Sequence, residues 1–291
     1  MALRWPFGDP SLVRRDFLVL WGLVGLVGAG MEVSRRHIVP HLSFLAVGQG
    51  DCTVLQDGGQ VMVVDVGGKT EHMDAGERLV VPELRRLAVD RIDLLVLTHP
   101  DADHVGGLSA VASHFRIGAV AVPAHFQGDT TMLGWLRGAG IDPGIVHWVK
   151  EKTDLQVGLA SVCLWTAPAA IAGTDNDGSM VTRIRQGRGS VILTGDASSA
   201  VEAWLAKQPG WEAQILKAGH HGSRFSASTE WLKHVHPVYT VFSAGRTNTY
   251  GHPSLDALER ASRQGRIWRT DRQGTLTFRL ESSGFVPILN R

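Results

Sequence analysis

The sequence predicts an α/β sandwich in which two β-sheets pack face to face and helices cover the outer faces. Two observations carry this prediction. The chain has 291 residues, of which 44% are hydrophobic and 20% charged, so it can bury a large core and is neither disordered nor collagen-like. Apolar runs of strand length alternate with segments of helical spacing in both halves of the chain, and two β-rich halves with helices pack as stacked layers.

Short strands and a hairpin open the globular part of the chain. Apolar and β-branched runs predict strands over residues 42–47, 53–55 and 61–65, and Gly58-Gly59 makes the turn between the second and third. Leucine and valine at helical spacing predict a helix over residues 77–87. Residues 93–97 form a continuous apolar run, as expected of a strand buried on both faces. A helix over 106–115 and a strand over 118–122 complete this half.

The second half repeats this alternation. The same patterns predict strands over residues 180–184, 191–193, 213–216, 238–242, 266–268 and 275–280, and helices over residues 198–207, 229–234 and 254–263. No element is assigned between residues 122 and 180.

Charge and cysteine content exclude several classes of protein. The 29 Lys and Arg against 28 Asp and Glu give a net charge of +1, so any affinity for nucleic acid must come from a local basic patch. Candidate patches comprise Arg183, Arg185 and Arg188 and, near the later His pair, Lys217 and Arg224; ordinary solvated surface is the alternative. Two cysteines are too few for a disulfide framework or a cysteine-rich zinc site. A single buried disulfide between them is the alternative.

Residues 1–36 form a basic and apolar segment that differs from the rest of the chain. Arg14 and Arg15 precede an apolar run over residues 17–30, which is shorter than the roughly 20 residues of a typical membrane-spanning helix. We expect a membrane anchor or an export signal, with residues 37–291 on the extracytoplasmic side. A helix packed on the domain, or the remnant of a last membrane helix, is the alternative.

The loop after strand 93–97 carries four potential metal ligands within six residues, namely His99, Asp101, Asp103 and His104. Side chains of this kind would repel one another and lose hydration without a cation, so the loop predicts a metal site. A solvated charged loop is the alternative.

Three later loops, each following a strand, supply complementary residues. Asp196 follows strand 191–193, and His220 and His221 follow strand 213–216. Asn248 and His252 lie on the loop after strand 238–242. Asp51 and Asp65 border the same region, where each orients a ligand or forms a turn. Polar residues at the ends of several strands describe a cleft at one edge of stacked sheets.

These motifs, taken in order, resemble those of the metallo-β-lactamase fold, an αββα four-layer sandwich of dinuclear metallohydrolases. They are similar in particular to the extracytoplasmic hydrolase domain of ComEC-type competence proteins, which are DNA-internalisation channels. The resemblance covers the chain from about Leu42 to about Leu280, within the predicted hydrolase domain over residues 37–291, and lacks the channel portion. The matching motifs are Phe44-x-x-Val47-Gly48-Gln49-Gly50-Asp51, Val64-Asp65-x-Gly67, Thr98-His99-x-Asp101-x-Asp103-His104-x-Gly106-Gly107, Thr194-Gly195-Asp196, His220-His221-Gly222-Ser223 and Asn248-x-Tyr250-Gly251-His252-Pro253.

The resemblance implies a site for two divalent ions. One ion is held by His99, Asp101 and Asp196, and the other by Asp103, His104, Asp196 and one of the later pair, with His221 preferred and His220 also a candidate ligand. The family commonly has histidine where this chain has Asp101, and a further histidine before the Gly-Asp motif is absent. Because carboxylate oxygen suits Mn²⁺ whereas imidazole favours Zn²⁺, we expect either metal.

The resemblance also implies the reaction, a two-metal phosphodiester hydrolysis of DNA during uptake. Asp101 or Asp103 orients the attacking water or takes its proton, and His252 meets the scissile phosphate or protonates the leaving oxygen. The expected substrate-binding residues are His220, Ser223, Asn248 and His252. We expect a monomer that acts on single- or double-stranded DNA beside a membrane channel partner. The alternatives are a hydrolase of a small phosphodiester, a phosphocholine ester or a lactam, and a non-catalytic, metal-stabilised DNA-binding module.

Overall fold

The computed structural model describes residues 39–288, and the predictions for residues 1–36 lie outside this range. None of the helices within it is long and apolar enough to cross a membrane. The strands are β1 His41–Phe44, β2 Thr53–Asp57, β3 Gln60–Val64, β4 Arg91–Val96, β5 Arg116–Pro123, β6 Val146–Val149, β7 Lys152–Val157, β8 Ala160–Trp165, β9 Val181–Gln186, β10 Gly189–Leu193, β11 Ile215–Lys217, β12 Tyr239–Phe242, β13 Arg266–Arg269, β14 Leu276–Glu281 and β15 Gly284–Ile288.

Helices and single turns connect these strands. The α-helices are Val81–Arg86, Ala102–Val105, Leu108–His114, Thr130–Gly138, Ser199–Leu205, Thr229–Val235, Leu255–Ser262 and Thr270–Gln273. A π-helical turn, Gly76–Val80, leads into the first of them, and 3₁₀ turns occur at Ala124–Phe126, Pro143–Ile145 and His220–Gly222.

Two sheets form the centre of the described domain, as the sequence predicts. One has eight strands in the order β15-β14-β1-β2-β3-β4-β5-β6, and the other has seven in the order β13-β12-β11-β10-β9-β8-β7. Apolar side chains from both sheets, including Phe44 and Val191, fill the space between them. A second core, with Leu95 and Val111, lies beneath the helices on the first sheet, and a third, centred on Trp231, lies beneath those on the second. This layering confirms the αββα sandwich.

The topology places the candidate ligands at one edge of each sheet. Strands β3 and β4 are parallel neighbours, and so are β10, β11 and β12. The carboxyl ends of parallel neighbours lie at the same edge, so the loops that follow these strands are adjacent. The metal-ligand motifs lie on those loops.

The structure adds elements between residues 122 and 180 that the sequence analysis does not assign. These are the helix Thr130–Gly138 and the strands β6, β7 and β8. Strand β7 is the last strand of its sheet and most of its side chains are exposed, so it lacks the apolar alternation from which strands are predicted. The helix predicted over 106–115 is observed as Leu108–His114. Gly106 and Gly107 instead form the turn that follows the helix Ala102–Val105, where close contact with Lys69 and Val66 leaves no room for a Cβ atom.

Candidate metal centre

The loop after β4 combines an extended stretch with a tight helical turn. Asp101 has extended backbone and precedes the helix Ala102–Val105. The backbone N–H of His104 donates to the carbonyl of Asp101 at 3.0 Å, which fixes the turn that carries Asp103 and His104. Ligands on both sides of this turn can therefore converge on one cleft.

Hydrogen bonds orient the two buried histidines of this loop. Nδ1 of His104 lies 2.7 Å from the carboxylate of Asp65, which also accepts bonds from the backbone N–H and the hydroxyl of Thr98 at 2.9 and 2.8 Å. Nδ1 of His99 lies 3.0 Å from the Thr98 hydroxyl. Because Nδ1 of each ring has a partner, Nε2 is left for a ligand in the cleft, as in protein metal sites generally.

The carboxylate of Asp196, which follows β10, lies at the centre of the cluster. Its Oδ1 is 3.1 Å from Nε2 of His104. Its Oδ2 is 3.9 Å from Nε2 of His99 and 3.8 Å from Nε2 of both His220 and His221. One carboxylate thus faces four imidazoles contributed by both sheets.

The two histidines after β11 differ in their surroundings. His221 is buried, with Nδ1 3.0 Å from the carbonyl of Ser243 and Nε2 3.1 Å from the carboxylate of Asp103. The side chain of His220 is 39% exposed and approaches Asp196 from the open side of the cleft. The structure therefore groups His221 with Asp103 and His104, and leaves His220 free to face either an ion or a substrate.

Several buried polar atoms in the cluster make no well-directed hydrogen bond within residues 39–288. They include Nε2 of His99 and, although they lie 3.1 Å apart, Nε2 of His104 and Oδ1 of Asp196. Burying such atoms without a partner costs free energy, whereas a divalent cation would satisfy all three. Imidazole nitrogen and carboxylate oxygen are also the donors that Zn²⁺ and Mn²⁺ take. The predicted ligands His99, Asp101, Asp103, His104, Asp196, His220 and His221 all lie within 4 Å of another member of the set, and they stay candidates for holding metal.

The electrostatics of the cluster match a cation site. Burial opposes ionisation of Asp196, but His104 and His221 outweigh it and hold the pKa of this carboxyl well below its ordinary value. Burial likewise opposes the shift at Asp103, yet the bond from His221 lowers its pKa to about 2. In turn, Asp196 and Asp65 raise the pKa of His104 well above its ordinary value against the effect of burial. A proton on His104 therefore balances part of the carboxylate charge in the metal-free protein.

A buried ion pair lies behind the cluster. The ammonium of Lys217 donates a hydrogen bond to the carboxylate of Asp51, and both side chains are almost fully buried. Asp51 lies within 4.8 Å of candidate ligand atoms of His104, Asp196 and His221. It approaches the Nδ1 atoms, at 3.5 Å from His221 and 3.9 Å from His104, so it supports these rings from the side away from Asp196.

Sequence reasoning predicts Asp51 as either an orienting residue or a turn former, and it misses the partner Lys217. Lys217 is predicted to add positive charge for a substrate, whereas the structure buries it beneath the centre. The available signal was an ionisable residue at the end of an apolar strand, because a lysine there needs a buried counter-charge.

The other predicted substrate-binding residues, Ser223, Asn248 and His252, lie on the loops that follow the His pair and β12. The amide of Asn248 donates to the carbonyls of Gly245 and His252 and accepts the backbone N–H of His252, so its polar groups are used within its own loop. The hydroxyl of Ser223 accepts the backbone N–H of Phe225. We therefore expect Asn248 to position His252 rather than to contact a phosphate directly.

His252 reaches the cleft from this loop. Its ring is 5.5 Å from that of His220, and its Nδ1 is buried without a hydrogen-bond partner in the described part of the chain. Burial, together with the charges of His220 and His221, lowers the pKa of His252. Because Nδ1 is buried, Nε2 is the nitrogen of this neutral ring that is left for hydrogen bonding with a bound substrate.

Metal affinity should increase with pH. Burial lowers the pKa of His221, but Asp196, Asp103 and Asp51 outweigh it and raise the pKa from 6.5 to about 9. Metal requires the neutral ring, so binding below pH 9 releases this proton, and His221 alone should raise the affinity up to about tenfold per pH unit. Mn²⁺ titration calorimetry at pH 6.5, 7.5 and 8.5, in buffers of different ionisation enthalpy, measures both quantities; a pH-independent affinity would contradict the assignment.

The metal-free protein should show the opposite dependence in its stability. Because the folded-state pKa of His221 lies above the unfolded value, its stabilisation is complete below pH 6.5 and is lost as the pH rises to about 9. The loss is of the order of 3 kcal/mol. Urea unfolding with EDTA at the two ends of this range tests the sign.

Comparison with known proteins identifies the family. A family model described as the metallo-beta-lactamase superfamily matches residues 45–245. ComE operon protein 3 of Bacillus subtilis is 28% identical over 83% of this chain and 33% of its own length. Competence protein ComA of Neisseria gonorrhoeae is 30% identical over 89% of this chain and 36% of its own length. The chain thus spans about a third of the length of these relatives.

A solved structure agrees on the fold. CmlA, a diiron β-hydroxylase from Streptomyces venezuelae, superposes with a TM-score of 0.58 and 19% identity over 83% of this chain and 54% of that chain. At this identity the likeness concerns the fold alone. The match of the family model to most of the chain, the αββα layering and the His/Asp cluster at the sheet edge lead to one conclusion: the chain belongs to the metallo-beta-lactamase superfamily.

Proposed function

We propose that this protein is a two-metal phosphodiesterase that cleaves DNA during DNA uptake. The observation that carries the proposal is the carboxylate of Asp196, which faces four imidazole Nε2 atoms, two of them beside further carboxylates. His99 lies 3.5 Å from Asp101, and His221 lies 3.1 Å from Asp103. The candidate ligands thus form two groups that share the carboxylate of Asp196. This arrangement suits the pair of ions that a two-metal hydrolase uses. The competence proteins among the relatives favour DNA as the substrate.

The chain's own residues would position a phosphodiester in this cleft. Two bound divalent ions would supply charge neutralisation at the phosphate and a lowered pKa for the attacking water. The side chain of Asp101 is 46% exposed, so its carboxylate can accept a hydrogen bond from that water. The ring of His252 lies 5.5 Å from that of His220, and it can donate to a phosphate oxygen through Nε2, because its Nδ1 is buried.

Positive side chains on the loops that carry the His pair and His252 support a polyanionic substrate. Arg224 and Arg246 are exposed on the two loops that follow the His pair and β12. The guanidinium of Arg224 lies 5.5 Å from the centroid of the Phe225 ring, and Nε of Arg246 donates to the carbonyl of Asp271 at 2.8 Å. Such groups bind the backbone of nucleic acids independently of sequence. Arg183 and Arg185, from the other predicted patch, both donate to the carbonyl of Gly210. An extracytoplasmic location, a monomeric state and a membrane channel partner belong to the same proposal.

A hydrolysis assay with metal-depleted protein tests this function. The protein is restored with Mn²⁺ or Zn²⁺ and offered single- and double-stranded DNA, bis-p-nitrophenyl phosphate and a chromogenic lactam. We expect metal-dependent DNA cleavage that falls at least about 100-fold in Asp103→Ala, because loss of a ligand should exceed the 10–100-fold effect of an outer-shell partner. Asp154→Ala is the matched control, since that carboxylate is 63% exposed and pairs with Lys152 on β7.

Each of the other outcomes identifies a different function. Cleavage of the small ester without DNA cleavage would indicate a hydrolase of small phosphodiesters, and turnover of the lactam alone would indicate a lactamase. Tight DNA binding without turnover under either metal would indicate a binding module.

A further inference from the structure

A cavity of about 370 Å³ opens directly beside the metal centre. The candidate ligand Asp103 lines it, together with the loop around Gly48 and Gln49 and the segment from Gly68 to Ala75. Tyr250 closes one side. Its volume is at the small end of the range of small-molecule sites, about 300–1,000 Å³. A cavity in this position can hold a group that is covalently attached to whatever the metal centre binds.

The walls of the cavity combine an exposed aromatic ring with apolar side chains. Tyr250 is 71% exposed, and its ring stacks against that of His252 with centroids 5.9 Å apart and an interplanar angle of 26°. Val47, Met73 and Ala75 supply the apolar surface. A large aromatic side chain this exposed, and backed by a second ring, has a face available for a flat ligand.

We infer that this cavity is a nucleoside subsite in which Tyr250 stacks on the base of the nucleotide whose phosphate lies at the metal centre. The inference rests on the proposed phosphodiesterase function and specifies its substrate. Every nucleobase presents a π-face, so stacking on a tyrosine favours nucleotides over simple phosphate esters without selecting a sequence.

The subsite favours an unpaired strand. In a duplex the base lies inside the helical stack, and placing it against Tyr250 would require its extrusion, which costs unstacking and unpairing energy. A single strand avoids this cost. The ammonium of Lys69 lines the same cavity, half exposed and 3.0 Å from Asp74, and adds a positive group for a neighbouring phosphate.

The cavity is poorly suited to a choline ester. Recognition of a quaternary ammonium uses several aromatic faces that surround the cation. Of the residues that line this cavity, Tyr250 is the one with an aromatic ring. One platform suits a flat base better than a tetrahedral cation.

Equilibrium binding to the Mn²⁺-loaded protein tests the inference. The two probes are thymidine 5′-monophosphate and 2-deoxyribose 5-phosphate, which share the phosphate and sugar and differ in the base. We expect the nucleotide to bind about tenfold more tightly, within the range measured for base–aromatic stacking. Tyr250→Ala should remove this difference and Tyr250→Phe should keep it. Leu159→Ala, which truncates a side chain 74% exposed on the turn between β7 and β8, is the control and should also keep it.

The measured quantity is the ratio of the dissociation constants of the two probes. General damage to the metal centre weakens the binding of both probes equally and therefore leaves this ratio unchanged. Equal binding of the probes by the unaltered protein, no binding of either, a ratio unchanged in Tyr250→Ala, or tighter binding of phosphocholine would each overturn the subsite. Hydrolysis of bis-p-nitrophenyl phosphate is recorded in parallel. Ester cleavage without a nucleotide preference would refute the subsite alone, whereas a nucleotide preference without any ester or DNA cleavage would refute the phosphodiesterase.

Discussion

Asp196→Ala should abolish metal-dependent hydrolysis, with a loss of at least about 1,000-fold, comparable to removal of a main electrostatic contributor in other enzymes. The carboxylate of Asp196 lies 3.1 Å from Nε2 of His104 and within 3.9 Å of three further imidazoles, so its removal leaves the histidines without the anion they share. No other carboxylate in the described structure contacts all four rings. The two groups of candidate ligands, one around His99 and one around His221, should therefore both lose affinity for metal.

Metal analysis separates this prediction from a simple catalytic defect. We expect two ions per chain in the unaltered protein and fewer than one in the variant at the same free Mn²⁺ concentration. Asp196→Asn keeps the shape of the side chain and removes its charge, so it should behave similarly if charge is decisive. A variant that keeps both ions with affinities within tenfold of the original would contradict the central position of Asp196.

Lys217→Met should destabilise the metal-free protein by about 3–5 kcal/mol, the cost of leaving a buried charge without its partner. The ammonium of Lys217 is bonded to the carboxylate of Asp51, and the two side chains are 2% and 7% exposed. Asp51 in turn lies 3.5 Å from Nδ1 of His221, so the loss should also disturb a candidate ligand. Urea unfolding in EDTA measures the free energy directly.

Lys152→Met is the matched control for this experiment. Lys152 pairs with Asp154 at 2.9 Å, but both side chains are more than half exposed, and exposed pairs are worth no more than about 1 kcal/mol. Adding Asp51→Asn to Lys217→Met removes the uncompensated charge and should recover part of the loss. Equal destabilisation by the two lysine substitutions would show that the buried pair has no special importance.

The ligand loops could be predicted because their information is local. His99, Asp101, Asp103 and His104 follow one apolar strand within a few residues, and a group this dense is costly to bury unless a cation compensates it. The two-sheet architecture followed from the alternation of strand and helix patterns. The edge strand β7 was missed because most of its side chains are exposed.

Features that depend on contacts between distant parts of the chain could not be predicted from the local sequence. The orientation of His221 is set by the carbonyl of Ser243, which follows the next strand of the sheet. The partner of Lys217 is Asp51, 166 positions away, and nothing in the local pattern of either residue identifies the other. The nucleoside subsite likewise combines Tyr250 with loops from the opposite end of the sequence.

The distribution of the candidate ligands between the two sheets has a mechanical consequence. His99, Asp103 and His104 are attached to one sheet, and Asp196 and His221 to the other. Ions bound among them would act as cross-links between the two halves of the sandwich, so that neither half can separate without releasing its metal. A free metal concentration one thousand times the dissociation constant would then add about 4 kcal/mol to the free energy of separating the two sheets on unfolding.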